Sequence, residues 1–318
     1  MRIFIAGATG TLGRPVVQLL LSHGHDLVGL TRSEAHRRVL DAQGVRPVVG
    51  NALDADRMRS LVGEARAEQV VHLLTALPPA GPTRSRHLGP TNALRITGTA
   101  NLLRAAVAVA ARRLVAESFV GIYARPPAGR AMSEDEPLPA IAPGPFAPTI
   151  AALRSLEDQL RAARASKQLD TVALRIGLLY GPDVPSTQAF IAQARAGRLF
   201  APRDMTGTGP FVHIADAATA IVAAIERPDP SAVYNVVDDE SFALREFLRV
   251  LAASIGERPP RHVPGWLLRL AAPMVAELGS MDMHLSNAKA KRELGWSLQY
   301  PTVKEGVAHL ARTLAEAP

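Results

Sequence analysis

The 318-residue chain has no cysteine, which excludes a disulfide scaffold, a zinc–thiolate site and a cysteine nucleophile. Aromatic residues make up only 4%, too few for the stacking platform of a single-strand-binding protein. Lysine is scarce: the basic residues are almost all arginine, and the first lysine is Lys167. The formal net charge of +7 is spread through helical segments with acidic neighbours rather than gathered in a tract. It reads as mild attraction for anionic ligands, and no nucleic-acid partner is expected. No apolar run reaches membrane-spanning length, so no membrane partner is expected, and an apolar strand pattern beginning at the first residues leaves no room for a cleavable signal. A cytoplasmic location is the resulting expectation. Ligand-type residues at metal spacing are absent, so no metal site is expected.

What the chain does have is concentrated near its start. The apolar run Arg2-Ile3-Phe4-Ile5-Ala6 leads into Gly7-Ala8-Thr9-Gly10-Thr11-Leu12-Gly13, followed by the helical pattern Val16-Val17-Leu19-Leu20. Glycines let the backbone turn tightly and approach a diphosphate, while a helix N-terminus offers free N–H groups and the positive end of its dipole. Glycines at this spacing gain specificity from lying between a strand and a helix. Gly7, Thr9, Gly10, Thr11, Leu12 and Gly13 therefore form a candidate dinucleotide cradle.

Apolar runs alternate with helical patterns through the first two-thirds of the chain. Strands are predicted at Ile3–Ala6, Asp26–Leu30, Arg46–Val49, Val70–Leu74, Arg113–Ala116 and Thr171–Ile176. Helices are clearest at Arg14–His23, Asp54–Glu64, Ala93–Ala111 and Ala151–Ser166. This alternation implies right-handed βαβ units, an α/β fold with a parallel sheet, and ligands at the carboxyl ends of the strands. Two proline-rich stretches, Pro78–Pro90 and Pro126–Pro148, read as loops bordering a cleft. Sheet-like character returns at Phe211–Ile214 and Val233–Val237, and the tail from Ser241 reads as mostly helical.

With these positions in hand, the chain resembles the extended short-chain dehydrogenase/reductases, which include NAD(P)-dependent epimerases and dehydratases. The likeness runs through the glycine turn, Gly50-Asn51-Ala52-Leu53-Asp54, Val70-Val71-His72-Leu73-Leu74 and Gly98-Thr99-Ala100-Asn101-Leu102-Leu103. It continues through Leu174-Arg175-Ile176-Gly177-Leu178-Leu179-Tyr180-Gly181-Pro182, Phe211-Val212-His213-Ile214-Ala215-Asp216, and Ser286-Asn287-Ala288-Lys289 with Glu293-Leu294-Gly295-Trp296. The resemblance implies a doubly wound parallel sheet of Rossmann type with a smaller C-terminal substrate-binding domain. Residues 1–177 would bind the dinucleotide, 210–237 would return to that domain, and 178–318 would be mainly substrate-side. A homodimer through paired helices is also implied.

In such proteins the residue ending the second strand selects the cofactor: an acid bonds the ribose 2′-OH, a basic residue accommodates a 2′-phosphate. Here Leu27-Val28-Gly29-Leu30-Thr31-Arg32-Ser33 carries no acid and offers Arg32, which favours NADP, with NAD as the alternative. Asn51 stands where relatives often place an aspartate near the adenine. The other cofactor contacts that the resemblance implies fall on Ala52, Leu74, Ile176 and Asn92; Asn92 could equally be a helix N-cap.

The catalytic pattern of the family is broken. Its chemistry uses a tyrosine four residues before a lysine, and these positions are Thr149 and Leu153. The Tyr300/Lys304 spacing is accidental, lying beyond the closing pattern with Thr302 as a helix cap. The usual serine position falls on Phe119. Its neighbour Ser118 either supplies a substrate hydrogen bond through a shifted turn or caps the strand end. Where relatives carry an asparagine three residues before Gly98, this chain has Arg95. Tyr123, Tyr180 and His213 lie near the catalytic edge as alternative proton donors, each with a structural reading as well. Glu117 adjoins Ser118, and strand alternation turns one of the two away from the cleft. The diphosphate-clamping arginine of nucleotide-sugar members has only Arg203 near its place. Phe200, Phe211, Trp266, Met274, Met281 and Met283 could instead line an apolar pocket.

The expectation is an atypical NADP-dependent oxidoreductase or epimerase/isomerase acting on a small, rather apolar carbonyl or hydroxyl compound, with Ser118, Tyr123 and His213 as candidate catalytic residues. Alternatives on the same fold are an NADP(H)-binding redox sensor and a non-redox cyclase or lyase.

Overall fold

The computed structural model describes residues 1–78, 81–123, 130–202 and 206–316. The first half runs β1 (Arg2–Ala6), α1 (Gly13–Ser22), β2 (Asp26–Thr31), α2 (Glu34–Ala42), β3 (Arg46–Val49), α3 (Ala55–Ala65) and β4 (Gln69–His72). A helix interrupted by a π turn follows: α4 (Gly89–Ala93), the turn Leu94–Gly98, and α5 (Thr99–Ala108). Then come β5 (Arg113–Phe119), α6 (Ala147–Ala165), β6 (Asp170–Ile176), β7 (Leu178–Tyr180), α7 (Pro185–Arg195), β8 (Phe200–Pro202), β9 (Thr208–Gly209), β10 (Phe211–His213), α8 (Ile214–Glu226) and β11 (Val233–Val236). The chain closes with β12 (Phe242–Ala243), α9 (Leu244–Ser254), β13 (Arg261–Val263), α10 (Gly265–Ala271), α11 (Pro273–Ser280), α12 (Ala288–Leu294) and α13 (Val303–Glu316).

Seven strands form one sheet in the order β11-β6-β5-β4-β1-β2-β3, and every pairing in it is parallel. Both faces are covered, so its central strands are continuous apolar runs rather than alternating ones. Successive residues of β1 nonetheless feed different cores. Ile3 and Ile5 pack with Val17, Leu20, Val71 and Ile221 on the side of α1 and α8. Phe4 and Ala6 pack with Val28, Leu61, Val70 and Leu102 on the side of α3 and α5. Because β1 has β2 on one side and β4 on the other, the chain reverses direction across the sheet here, opening a crevice at the carboxyl ends of these strands.

Beyond β6 the chain builds a further cluster from Tyr180, Ile191, Phe211, Phe247, Leu251 and Val307. Three two-stranded sheets, β10-β7, β12-β9 and β13-β8, frame it. The two parts meet closely at Gly177, where a Cβ would lie 2.7 Å from the Pro210 carbonyl oxygen. Among the described residues no helix is long and apolar enough to cross a membrane.

The sequence-predicted strands all form, Arg46–Val49 with its predicted bounds and the others with ends shifted by at most three residues. Helix α2 carries little apolar signal: Leu40 is its one buried residue, and Ser33 starts it by accepting from the His36 N–H. The proline-rich stretch Pro78–Pro90 contains a 3-10 turn at Ser85–Leu88 and the start of α4. Residues 79–80, and residues 126–129 of the stretch Pro126–Pro148, lie outside the described residues.

Arg113 begins β5 almost completely buried and is saturated by the protein. It pairs with Asp170 and donates to the carbonyls of Ala224, Arg227 and Pro228, tying β5 to the ends of β6 and α8. Arg113→Met leaves these acceptors short of a donor and should lower unfolding stability by roughly 2–4 kcal/mol, read from urea unfolding.

Candidate active site

The cradle forms as its glycines require. Gly7 has φ +106°, and a Cβ there would lie 2.6 Å from the Leu73 carbonyl oxygen. At Gly13 a Cβ would lie 2.0 Å from the Gly7 oxygen, so this glycine lets α1 pack against the turn. The Gly10 N–H closes the turn on the Gly7 carbonyl at 2.9 Å. No side chain caps the N-terminus of α1, and its first turn has no acid. Its dipole end is therefore free to meet an anion. The residues fit a dinucleotide diphosphate.

This cradle is one end of a cavity of about 850 Å³. Of the cofactor candidates, Gly7, Thr9, Gly10, Thr11, Leu12, Arg32, Asn51, Ala52, Leu74 and Ile176 line it. Gly13 and Asn92 do not: Gly13 lies behind the turn, and the Asn92 amide donates to Thr149 Oγ1 at 3.3 Å. Arg32 is exposed at the cavity mouth, beside Ser33 and His36. Asn51 Oδ1 accepts from the Leu53 N–H, and the Ala52 carbonyl accepts from Asn101. The far end of the cavity is apolar, with Phe119, Phe146, Phe190, Phe211 and Phe247 on its wall.

Ser118, Tyr123 and His213 are placed elsewhere. Ser118 is buried and donates to Glu157 Oε1 at 2.7 Å. That carboxylate takes a two-pronged contact from Arg175, at 2.9 and 2.7 Å. Arg175 also donates to the Tyr123 hydroxyl at 2.7 Å, and Tyr123 donates to Asn235 Oδ1 at 2.8 Å. Burial holds the Tyr123 hydroxyl above the usual phenol range, against the pull of Arg175. The two residues are thus absorbed into a polar network behind β5, away from the cavity. His213 caps α8, accepting from the Ala215 N–H, and its ring packs on Tyr300 with centroids 4.2 Å apart. Burial lowers its pKa to about 4. Tyr180 donates to Asp238 at 3.1 Å.

Strand alternation explains what takes their place. With Ser118 turned toward Glu157, its neighbours Glu117 and Phe119 face the cavity. Glu117 accepts no hydrogen bond from any described residue. Burial pushes its carboxyl up to about 7, with the charge of Arg95 pulling the other way. Thr149 lines the same wall, whereas Leu153 is fully buried in a core cluster with Ile122 and Tyr123. Of the apolar pocket candidates, Phe211 reaches the cavity. Met274, Met281 and Met283 are core residues, while Phe200 and Trp266 are largely exposed. Arg203 lies outside the described residues. Sequence pattern did not show which of Glu117 and Ser118 faces inward, nor the contributions of Phe190 and Phe247 from α7 and α9.

The model of the NAD dependent epimerase/dehydratase family matches residues 3–237. The chain belongs to that family. Over 311 residues it is 35% identical to a 3-diazoavenalumate denitrifying reductase of a Streptomyces species, covering 96% of this chain and 99% of the relative. Among solved structures, a UDP-glucose 4-epimerase of Thermus thermophilus in complex with NAD aligns over 100% of both chains at 23% identity, with a TM-score of 0.81. A human epimerase family protein with NADPH aligns over 98% of this chain and 99% of its own at 19% identity, with a TM-score of 0.80. These likenesses place the seven-stranded sheet and its cradle among NAD(P)-binding Rossmann folds.

Gly13→Ala forces α1 away from the Gly7 carbonyl. The family member so altered should bind dinucleotide at least about tenfold more weakly, ~1.4 kcal/mol, by calorimetric titration.

Proposed function

We propose that this chain is an NADP(H)-dependent oxidoreductase reducing a small, rather apolar molecule, with Glu117 as proton donor in place of the missing tyrosine. The observation that carries this reading is the inward-facing Glu117. It is a carboxyl at the carboxyl end of β5, on the wall joining the cradle to the aromatic end, without a hydrogen-bond partner among the described residues. A carboxyl held near neutrality is well matched to acid catalysis at ordinary pH. The 35%-identical relative is itself named a reductase, which supports hydride transfer over a sensing role.

Residues of the cradle, from Gly7 to Leu12, would hold the diphosphate. Arg32, with Ser33 and His36 beside it and no acid at the end of β2, would take a 2′-phosphate through its paired donors. A bound NADPH supplies the hydride. Glu117 would pass its proton to the substrate oxygen that becomes a hydroxyl and would be reprotonated from solvent. The aromatic end excludes water from the reacting face. Ser118, Tyr123 and His213 then serve the architecture, holding β5, β6 and α8 in place.

Two measurements test this. Arg32→Ala should weaken NADP(H) binding about tenfold while leaving NAD(H) binding unchanged, as read by thermal-shift titration with all four dinucleotides. With a carbonyl substrate found by screening NADPH oxidation, the reductive rate should fall as pH rises through about 7, because the acid must be protonated to donate. Glu117→Gln should lower that rate by roughly a hundredfold or more and flatten the pH profile, and Glu117→Asp should restore part of both. A rate and profile unchanged in Glu117→Gln would remove Glu117 from the chemistry.

A further inference from the structure

Among the described residues three arginines are deeply buried, and two of them are saturated. Arg113 is held by Asp170 and a ring of carbonyls, Arg175 by Glu157 and Tyr123. The third, Arg95, is 7% exposed and forms no hydrogen bond or ion pair with any described residue. Its Nη1 is shut off from solvent without a partner. The side chain lines the cavity. It lies in the π turn Leu94–Gly98, a local widening of the helix that buries Leu94, Arg95 and Gly98. Such turns interrupt otherwise regular helices, frequently at functional sites.

Among the described residues nothing around Arg95 fully neutralises it. Glu117 on β5 is beyond ion-pair distance, and burial keeps its carboxyl partly protonated near neutral pH. His72 on β4 is held uncharged by burial, its pKa lowered to about 4, and its Nε2 lies 3.1 Å from Thr99 Oγ1. The carboxylate of Glu157 lies behind β5 and is already taken by Arg175. Burial of the guanidinium itself lowers its pKa to about 10. A buried cation without hydrogen bonds is costly, and a ligand anion removes that cost. The surrounding wall is apolar, with Leu88, Phe119 and Phe146 nearby in the cavity lining.

We propose that Arg95 is the anion-recognition group of the substrate end, and that the substrate is an apolar, ring-sized molecule bearing a carboxylate. The planar fork of a guanidinium matches a carboxylate through two parallel hydrogen bonds. A diphosphate has its own place at the cradle and the N-terminus of α1, and the other basic side chains on the cavity wall among the described residues, Arg32 and His36, belong to the nucleotide end. A singly charged group suits a single buried guanidinium, and the aromatic wall suits the rest of the molecule. Calling that molecule a substrate rests on the reductase reading above; the anion site itself does not.

The test is a binding measurement on the full chain, with and without NADP⁺, using cinnamate as the probe and methyl cinnamate as its uncharged twin. Wild type should bind cinnamate at least about tenfold more tightly than the ester. Arg95→Gln should abolish that preference while leaving NADP(H) affinity within about twofold, and Arg95→Lys should retain part of it. Circular dichroism verifies folding, and the acid-versus-ester comparison on wild type stands even if a variant fails to fold. Equal binding of acid and ester, or no binding of either, overturns the proposal. A loss of dinucleotide affinity in Arg95→Gln with cinnamate binding intact also overturns it, by assigning the guanidinium to a cofactor phosphate. If no dinucleotide binds but the preference for cinnamate depends on Arg95, the anion site stands and the reductase reading falls.

Discussion

The buried pair of Arg175 and Glu157 is the contact on which the site depends. Both side chains are nearly inaccessible, and their desolvation is offset by the two-pronged contact between them and by further bonds, Ser118 donating to Glu157 and Arg175 donating to Tyr123, whose hydroxyl in turn donates to Asn235. The pair joins α6 to β6, and through Ser118 it fixes which way β5 faces. Once Ser118 is committed to Glu157, the two-residue period of the strand obliges Glu117 and Phe119 to face the cavity. The ion pair between α6 and β6 thus goes with the facing that brings Glu117 and Phe119 to the cavity wall.

Replacing the tyrosine and lysine of the family pattern also moves charge within the site. At the lysine position, Leu153 is now core, packed with Ile122 and Tyr123, and at the tyrosine position Thr149 keeps a hydroxyl on the wall. Among the described residues the ionisable side chains lining this part of the cavity are Arg95 on the π turn and Glu117 on β5. A fold of this kind tolerates such changes, because chemistry resides in the site rather than in the scaffold.

Much of this was legible in the sequence because it is local. The central strands are apolar runs, the glycine turn has a fixed place between strand and helix, and the cradle residues follow from it. Helix α2 went unread because it is short and mostly polar, with Leu40 as its one buried residue, so its apolar stripe is carried by too few residues to stand out. Arg95 and Glu117 were visible as departures from a pattern, but their meaning depends on burial and facing, which are set by partners far along the chain. Tyr123 illustrates the converse. Its place after the fifth strand suggested chemistry, and only Arg175 and Asn235, distant in sequence, reveal that its hydroxyl is fully engaged.

The cavity is assembled from segments made at different times. The cradle, Arg32, Asn51, Arg95 and Glu117 all lie within the first 119 residues, whereas Phe190, Phe211 and Phe247 come much later. The nucleotide half is not independent of the later segments, because Arg113 on β5 is satisfied by Asp170 and by the carbonyls of Ala224, Arg227 and Pro228. A ligand bound across that cavity would therefore hold together segments far apart in the chain, and its binding free energy would add to the stability of the whole fold.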